Sequence, residues 1–266
     1  MKEKHRGFLM LLPNLLTLAN ALAGFTALLV FFTSVYQGRQ AFGTVLAGWF
    51  ILFAVLFDGL DGYAARKLDA ASSTGLQLDS LADFLTFGAA PALILASTCI
   101  ISGIPMLKIL GSAAAGLYLS CAVWRLAVYN VMALEGTPAT VFRGLPVPGA
   151  AAAVMSALVL AVKGGGSGLF LGLIALYYLL TAVLMVGKVS YVHMWKWITS
   201  ERRGVRYLII AVIFFILVFT LGPFPAITVF SVVYILSGPL GPVGSRILSA
   251  RLSEKRGQTG AQGGGR

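Results

Sequence analysis

Charged residues are scarce in this chain. They make up 11% of its 266 residues, whereas hydrophobic residues make up 58%. A soluble domain carries about a quarter charged residues, so the composition excludes that class. Apolar stretches of about twenty residues, the length that crosses the hydrocarbon core of a bilayer, recur along almost the whole sequence. The sequence therefore predicts an all-α, polytopic membrane helix bundle.

Cysteine and histidine are also nearly absent, with two of each. Cys99 and Cys121 both lie inside apolar stretches, where cysteine packs as a small apolar side chain. Neither a disulfide framework nor a cysteine-based metal site is predicted from them. The two histidines do not have the spacing of a metal motif, so any metal site must rest on other residues.

The excess of basic residues indicates a membrane topology. The net charge of +11 does not predict a nucleic-acid partner, because lysine and arginine cluster between the apolar stretches and no soluble basic domain is present. With about eight spans, 17 of the 20 basic residues fall on the side of both termini, which predicts that both termini are cytoplasmic. The predicted spans run near Phe8–Phe32, Ala41–Arg66, Gly75–Ile101, Leu107–Leu134, Pro146–Val162, Gly168–Val186, Val205–Leu221 and Pro225–Leu240.

The N-terminal segment is apolar and the C-terminal segment is polar, so they predict different structures. A basic start, an apolar run and Ala19-Asn20-Ala21 have the look of a cleavable signal, but hydrophobicity continues to Phe32, which favours a retained first span. Residues 1–240 are predicted to form one transmembrane domain. Residues 241–266 are predicted to form a basic, flexible cytoplasmic tail that lies on anionic lipid.

Acidic residues are few, and they are concentrated. Five of the nine lie between Asp58 and Asp83. Carboxylates at membrane depth are costly and mark either a functional site or a paired structural one. Asp58 and Asp61 are three residues apart, and Asp79 and Asp83 are four apart, so each pair shares a helix face. Two antiparallel helices joined by a short loop would bring the two faces together.

Four converging carboxylates would exceed the charge that Arg66 alone can balance. Hard oxygen ligands favour Mg²⁺, Mn²⁺ or Ca²⁺ over zinc, so the pattern predicts one or two divalent cations. Arg66 itself is either a snorkelling anchor or a phosphate clamp. Small residues beside the carboxylates either pack helices or let a bulky ligand approach, namely Gly62, Ala64, Ala65 and Gly75.

Aspartates and small residues recur here at fixed spacing. The pattern is Asp58-Gly-Leu-Asp61-Gly62-Tyr-Ala-Ala65-Arg66, eight residues, Gly75, three residues, Asp79, three residues, Asp83. It resembles the complete signature of the CDP-alcohol phosphatidyltransferase family, whose members move a phosphatidyl or related group from a CDP-linked donor to an alcohol and release CMP. The resemblance implies roles for the matched residues. Asp58, Asp61, Asp79 and Asp83 would hold Mg²⁺ or Mn²⁺, as two ions, with Asp83 also the general base, while Gly62, Ala65, Arg66 and Gly75 would line the cytidine-phosphate pocket.

Segments outside the signature resemble those of transmembrane-type phosphatidylserine synthases. This resemblance implies CDP-diacylglycerol and serine as substrates, a homodimer, and an active site on the cytoplasmic side of the inner membrane. Two departures stand against serine: Val128 replaces a usual second arginine, and Lys188–His193 lacks a usual proline. The similar segments are Pro13–Asn20, Asp79–Pro91, Phe142–Ala151 and, less closely, Arg125–Asn130 and Tyr234–Pro239.

The acceptor alcohol is therefore less constrained than the reaction. Arg125 or Arg143 is expected to clamp a serine carboxylate, or else to pair with an aspartate or a lipid phosphate. Glycerol 3-phosphate, an inositol phosphate or choline are alternative acceptors, and a divalent-cation transporter is an alternative class. The small residues Ser112, Gly116 and Ser120 form a stripe that would let another helix approach, from this chain or a second copy.

Overall fold

Every element that the computed structural model describes is helical. The described residues are 2–67, 72–135, 144–187, 213 and 216–235, without the side chains of 2–10 and 66. The helices are α1 (Lys2–Tyr36), α2 (Gln40–Lys67), α3 (Ser73–Asp83), a π-helical turn (Phe84–Ala89), α4 (Ala90–Ile101), α5 (Pro105–Leu134), α6 (Val147–Lys163), α7 (Gly168–Val186) and α8 (Pro223–Ile235).

Five helical stretches in the described part of the chain are long and apolar enough to cross a membrane. The helices α6 and α8 are apolar but shorter. The predicted class, an all-α polytopic membrane bundle, is confirmed. Most of the predicted span Val205–Leu221 and all of residues 241–266 lie outside the described residues, so the count of eight and the side of the termini stay predictions. The five stretches are Leu11–Tyr36, Gln40–Ala65, Ser73–Ile101, Pro105–Leu134 and Gly168–Val186.

Short connectors place successive helices side by side and antiparallel. Left-handed glycines allow these tight turns: Gly38 (φ 71°) follows α1, Gly103 (φ 75°) follows α4, and Gly165 (φ 92°) follows α6. Helix α6 lies at the centre of the bundle, since 11 of its 17 residues are buried. Its 17 residues span about 26 Å, at 1.5 Å per residue. Because the turns after α1, α4 and α6 share one end of the bundle, the end of α2 and the start of α3 lie at the other.

The span from Ser73 to Ile101 contains a π-helical turn shortly before Pro91. Pro91 has no backbone N–H, so the carbonyl of Phe87, four residues earlier, loses its α-helical donor. Within the π-helical turn, the N–H of Ala90 donates to the carbonyl of Leu85, five residues back. The buried hydroxyl of Tyr118 on α5 donates to the Phe87 carbonyl at 2.9 Å. A side chain from a neighbouring helix thus satisfies the carbonyl that the proline leaves free.

We expect Tyr118→Phe to lower the free energy of unfolding by about 1–3 kcal/mol, because it leaves the buried Phe87 carbonyl without a donor. The ring itself would keep its packing against Tyr178, 5.2 Å away between centroids. Thermal denaturation in detergent measures the loss. Tyr36→Phe is the matched control, since Tyr36 is 93% exposed. Equal melting temperatures for the two variants would contradict the role given to the hydroxyl.

Candidate active site

Three of the four signature aspartates converge between α2 and α3. Asp58, Asp61 and Asp79 each offer one carboxylate oxygen, and these three atoms lie within 4.8 Å of one another. Asp61 is buried and the other two are half-buried. Helical spacing puts Asp58 and Asp61 on one face of α2, and that face lies toward Asp79 on α3. The arrangement concentrates negative charge at the end of the bundle where α2 meets α3.

The donor chemistry of these residues fits a divalent cation. The Oδ1 atom of Asp79 is buried and accepts no hydrogen bond from the described residues. An orphaned carboxylate oxygen beside two further carboxylates is costly unless a positive charge occupies the space between them. All three donors are hard oxygens, which suit Mg²⁺, Mn²⁺ or Ca²⁺. The aspartate cluster, Asp58, Asp61 and Asp79, is therefore a candidate cation site.

Asp83 lies apart from this cluster in its contacts. It is buried, and its Oδ1 accepts a hydrogen bond of 3.0 Å from the side-chain amide of Asn20 on α1. It lies one helical turn beyond Asp79 on the same face. The fourth signature aspartate is thus oriented by a third helix.

Helix α1 also reaches the cluster directly. The hydroxyl of Thr17 lies 2.9 Å from Asp61 Oδ2 and 3.0 Å from the Pro13 carbonyl. Sequence reasoning assigned no role to Thr17 or Asn20. The available signal was the presence of Asn14, Thr17 and Asn20 at intervals of three in an apolar span, which places them on one helix face.

The small signature residues border the same region. Gly62 and Ala65 are half-buried on α2, and Gly75 lies in the first turn of α3, where its N–H donates to Ser72 Oγ at 3.0 Å. A Cβ on Gly75 would lie 3.3 Å from Asn14 Oδ1, so α1 and α3 approach closely there. The side chain of Arg66 lies outside the described residues.

Arg125 lies within α5, and its guanidinium lies at the C-terminal end of α7. Its Nη1 donates to the Met185 carbonyl at 2.9 Å, and its Nη2 donates to the Gly144 carbonyl at 3.3 Å. The last carbonyls of a helix have no intrahelical donor and carry the negative end of the dipole, so a guanidinium there caps α7. Gly144 has a φ of 93°, and a Cβ there would lie 2.7 Å from Arg125 Nη1. Arg143 lies outside the described residues.

Comparison with known proteins identifies the family. Residues 10–200 match the model of the CDP-alcohol phosphatidyltransferase family. A CDP-diacylglycerol–serine O-phosphatidyltransferase of Helicobacter pylori is 34% identical over 235 residues, which cover 86% of this chain and 90% of the relative. One of the same name from Bacillus subtilis is 31% identical over 74% of this chain and 98% of the relative. An archaetidylserine synthase of Methanothermobacter thermautotrophicus is 29% identical over 72% of this chain and 73% of the relative. The chain belongs to the CDP-alcohol phosphatidyltransferase family.

Proposed function

We propose that this protein transfers the phosphatidyl group of CDP-diacylglycerol to the hydroxyl of L-serine, which yields phosphatidylserine and CMP for phospholipid biosynthesis. The observation that carries the proposal is the convergence of Asp58, Asp61 and Asp79 inside a multi-pass member of this family. Serine is the favoured acceptor because the names of the three relatives all specify it, although they differ in the lipid.

The proposed cofactor is Mg²⁺ or Mn²⁺, as two ions held by Asp58, Asp61 and Asp79 with a contribution from Asp83. When bound, such ions neutralise the pyrophosphate of the donor and stabilise charge on the departing CMP. The orphaned Oδ1 of Asp79 supports this assignment, because it is a buried acceptor without a donor among the described residues.

The remaining chemistry falls to side chains of the protein. Asp83 is proposed as the general base that takes the proton of the serine hydroxyl, and the amide of Asn20 holds its Oδ1 at 3.0 Å. Gly62, Ala65 and Gly75 are proposed to leave room for the cytidine-phosphate group. Arg66 is proposed to bind its phosphates, since a guanidinium matches phosphate geometry with two donors.

The serine carboxylate needs a cation of its own. Arg125 and Arg143 remain the proposed candidates. Two nitrogens of Arg125 already donate to the backbone carbonyls of Met185 and Gly144, which supports a structural role for much of that guanidinium. Because the guanidinium of Arg125 is already engaged in this way, Arg143 is favoured as the carboxylate clamp.

Orientation and assembly are also proposals. The active site is placed on the cytoplasmic side of the inner membrane, because 17 of the 20 basic residues would then be cytoplasmic. A homodimer is proposed with the stripe Ser112, Gly116 and Ser120 at its interface. These three residues are exposed on α5, and a Cβ on Gly116 would meet no described atom within 4 Å.

A panel of acceptors tests the function. The purified protein receives CDP-diacylglycerol, Mn²⁺ or Mg²⁺, and either serine, glycerol 3-phosphate, an inositol phosphate or choline. We expect CMP release and a lipid product with serine and with none of the other three alcohols. Release with another alcohol and none with serine would overturn the acceptor. Absence of release with all four, together with Mn²⁺ uptake into proteoliposomes, would favour the transporter instead.

A further inference from the structure

Two buried polar side chains of α1 each contact a different signature aspartate. Thr17 is 4% exposed and its hydroxyl lies 2.9 Å from Asp61 Oδ2. Asn20 is fully buried and its amide donates to Asp83 Oδ1 at 3.0 Å. The first contact links α1 to α2 and the second links α1 to α3. Both helices of the aspartate motif are therefore tied to the same face of α1.

A hydrogen bond of this kind decides which carboxylate oxygen remains available. The single proton of the Thr17 hydroxyl has two acceptors within reach, the Pro13 carbonyl and Asp61 Oδ2, and the carboxylate is the stronger acceptor. Asn20 donates to Asp83 Oδ1, so in each aspartate the other oxygen is left for a ligand. Without the donor, the orientation of the carboxylate plane is restrained less tightly, because the terminal torsion of aspartate has a broad energy minimum. Groups that orient ligating side chains are typically worth 10–100-fold in metal affinity.

The backbone of α1 is fixed at the same place. The hydroxyl of Thr86, three residues beyond Asp83, donates to the Asn20 carbonyl at 3.0 Å. Both Thr86 and Asn20 are fully buried. Asp83 and Thr86 share a helix face, so the side chain and the carbonyl of Asn20 are held by successive positions of one surface. The position of Asn20 relative to Asp83 is thereby set from two sides.

Asn20 also has an unused acceptor. Its Oδ1 is buried and receives no hydrogen bond from the described residues. A buried amide oxygen that serves only packing is normally satisfied, since an unmade hydrogen bond costs free energy. An orphaned oxygen beside the proposed base indicates a donor that arrives with a ligand. An acceptor alcohol carries such an O–H or N–H donor.

We propose that Thr17 and Asn20 are positioning residues of the transferase site: Thr17 orients Asp61 for the cation, and Asn20 orients Asp83 toward the acceptor alcohol. This inference rests on the proposed function for the reaction, although the contacts themselves do not. The active site is then built by three helices, with α1 setting the carboxylates that α2 and α3 supply.

The role of Thr17 is tested by a Mn²⁺ titration without substrates, in which electron paramagnetic resonance measures the bound Mn²⁺. We expect Thr17→Val to raise the dissociation constant about 10–100-fold, because it keeps the shape and removes the hydroxyl. Thr17→Ser should restore wild-type affinity. Thr26→Val is the matched control on α1, since the Thr26 hydroxyl donates to the Leu22 carbonyl of its own helix. If Thr17→Val fails to fold, Thr17→Ala replaces it.

Asn20 is tested by steady-state kinetics. Asn20→Asp keeps the shape but replaces the amide donor with a second carboxylate against Asp83. We expect kcat to fall about 10²–10⁴-fold, the contribution of a placed general base, with a higher KM for the acceptor and an unchanged KM for CDP-diacylglycerol. Asn20→Leu, which has similar volume, should show the same split if Asn20→Asp does not fold.

The outcomes separate this proposal from the function on which it rests. A wild-type protein that binds Mn²⁺ but transfers to no alcohol would overturn the proposed function, and the affinity of Thr17→Val would still decide the role of Thr17. The positioning roles would be overturned by two results in an active protein. Thr17→Val would bind Mn²⁺ as tightly as Thr26→Val, and Asn20→Asp would keep the kcat of the wild type.

Discussion

Asp58→Asn should lower kcat/KM for phosphatidyl transfer by about 10³-fold or more. The substitution keeps the shape of the side chain and removes one of the three carboxylates that lie within 4.8 Å of one another. A divalent ion supplies several kcal/mol of charge stabilisation to a transition state, and each 1.36 kcal/mol is a factor of ten in rate. Loss of a charged ligand therefore costs several factors of ten. CMP release from CDP-diacylglycerol measures it.

The same variant has a stability signature that simple unfolding would not produce. Without a cation, three carboxylates so close together in a low-dielectric setting repel one another. Asp58→Asn relieves part of that repulsion, so the melting temperature without metal should be equal to or higher than that of the wild type. Mn²⁺ should raise the melting temperature of the wild type, because it binds the folded state, and should raise that of Asp58→Asn much less.

Glu135→Gln is the matched control for this experiment. Glu135 is an exposed acid at the end of α5, outside the aspartate cluster. It should keep both turnover and the Mn²⁺-dependent rise in melting temperature. If Asp58→Asn behaves like Glu135→Gln in both measurements, the aspartate cluster is not the metal site.

The part of the site carried by α2 and α3 was predictable because its geometry is local. Spacings of three and four residues place each pair of aspartates on one face of its helix, and a short connector favours an antiparallel arrangement of α2 and α3. The sequence therefore predicted that Asp58, Asp61, Asp79 and Asp83 would converge, and oxygens of Asp58, Asp61 and Asp79 do lie within 4.8 Å of one another. The span boundaries followed from apolar length, and the five predicted spans from Ala41 to Val186 begin and end within two residues of the observed helical stretches.

The contribution of α1 was not predictable in the same way. Thr17 and Asp61 are 44 positions apart, and Asn20 and Asp83 are 63 apart, so their contacts depend on how whole helices pack. The sequence displayed polar residues in an apolar span, in a segment that resembles phosphatidylserine synthases, but it did not indicate what these residues contact. A carboxylate partner, a lipid or solvent would each account for such residues equally well.

Two further features show the same limit. Pro91 predicts that the Phe87 carbonyl lacks its α-helical donor. Nothing in the neighbouring sequence indicates that Tyr118, 31 positions from Phe87, supplies a donor. Arg125 was expected to clamp a carboxylate or to pair with an aspartate or a lipid phosphate. The carbonyls of Met185, at the end of α7, and of Gly144, before α6, are partners that the sequence of α5 does not reveal. Local rules thus predict which group needs a partner, while tertiary packing selects it.

Gly24→Ala should impair stability and activity together. Alanine normally stabilises a helix relative to glycine by about 0.5–1 kcal/mol. At Gly24, however, a Cβ would lie 2.7 Å from the Thr86 Cα and would also overlap the Thr86 hydroxyl. Because backbone cannot rotate out of the way as a side chain can, α1 and the π-helical turn must separate. We expect the free energy of unfolding to fall by about 1–3 kcal/mol, as for overpacking elsewhere.

The loss of activity should exceed what that destabilisation explains. Separation at Gly24 lengthens the Thr86–Asn20 contact and, with it, the bond from Asn20 to Asp83. At a temperature where the variant is still folded, we therefore expect kcat to fall while CDP-diacylglycerol still binds. Gly172→Ala on α7 is the matched control, since its Cβ would lie 3.7 Å from Leu107 Cδ2, an ordinary contact. If Gly24→Ala melts and turns over like Gly172→Ala, close approach of α1 to the π-helical turn is not what aligns Asp83.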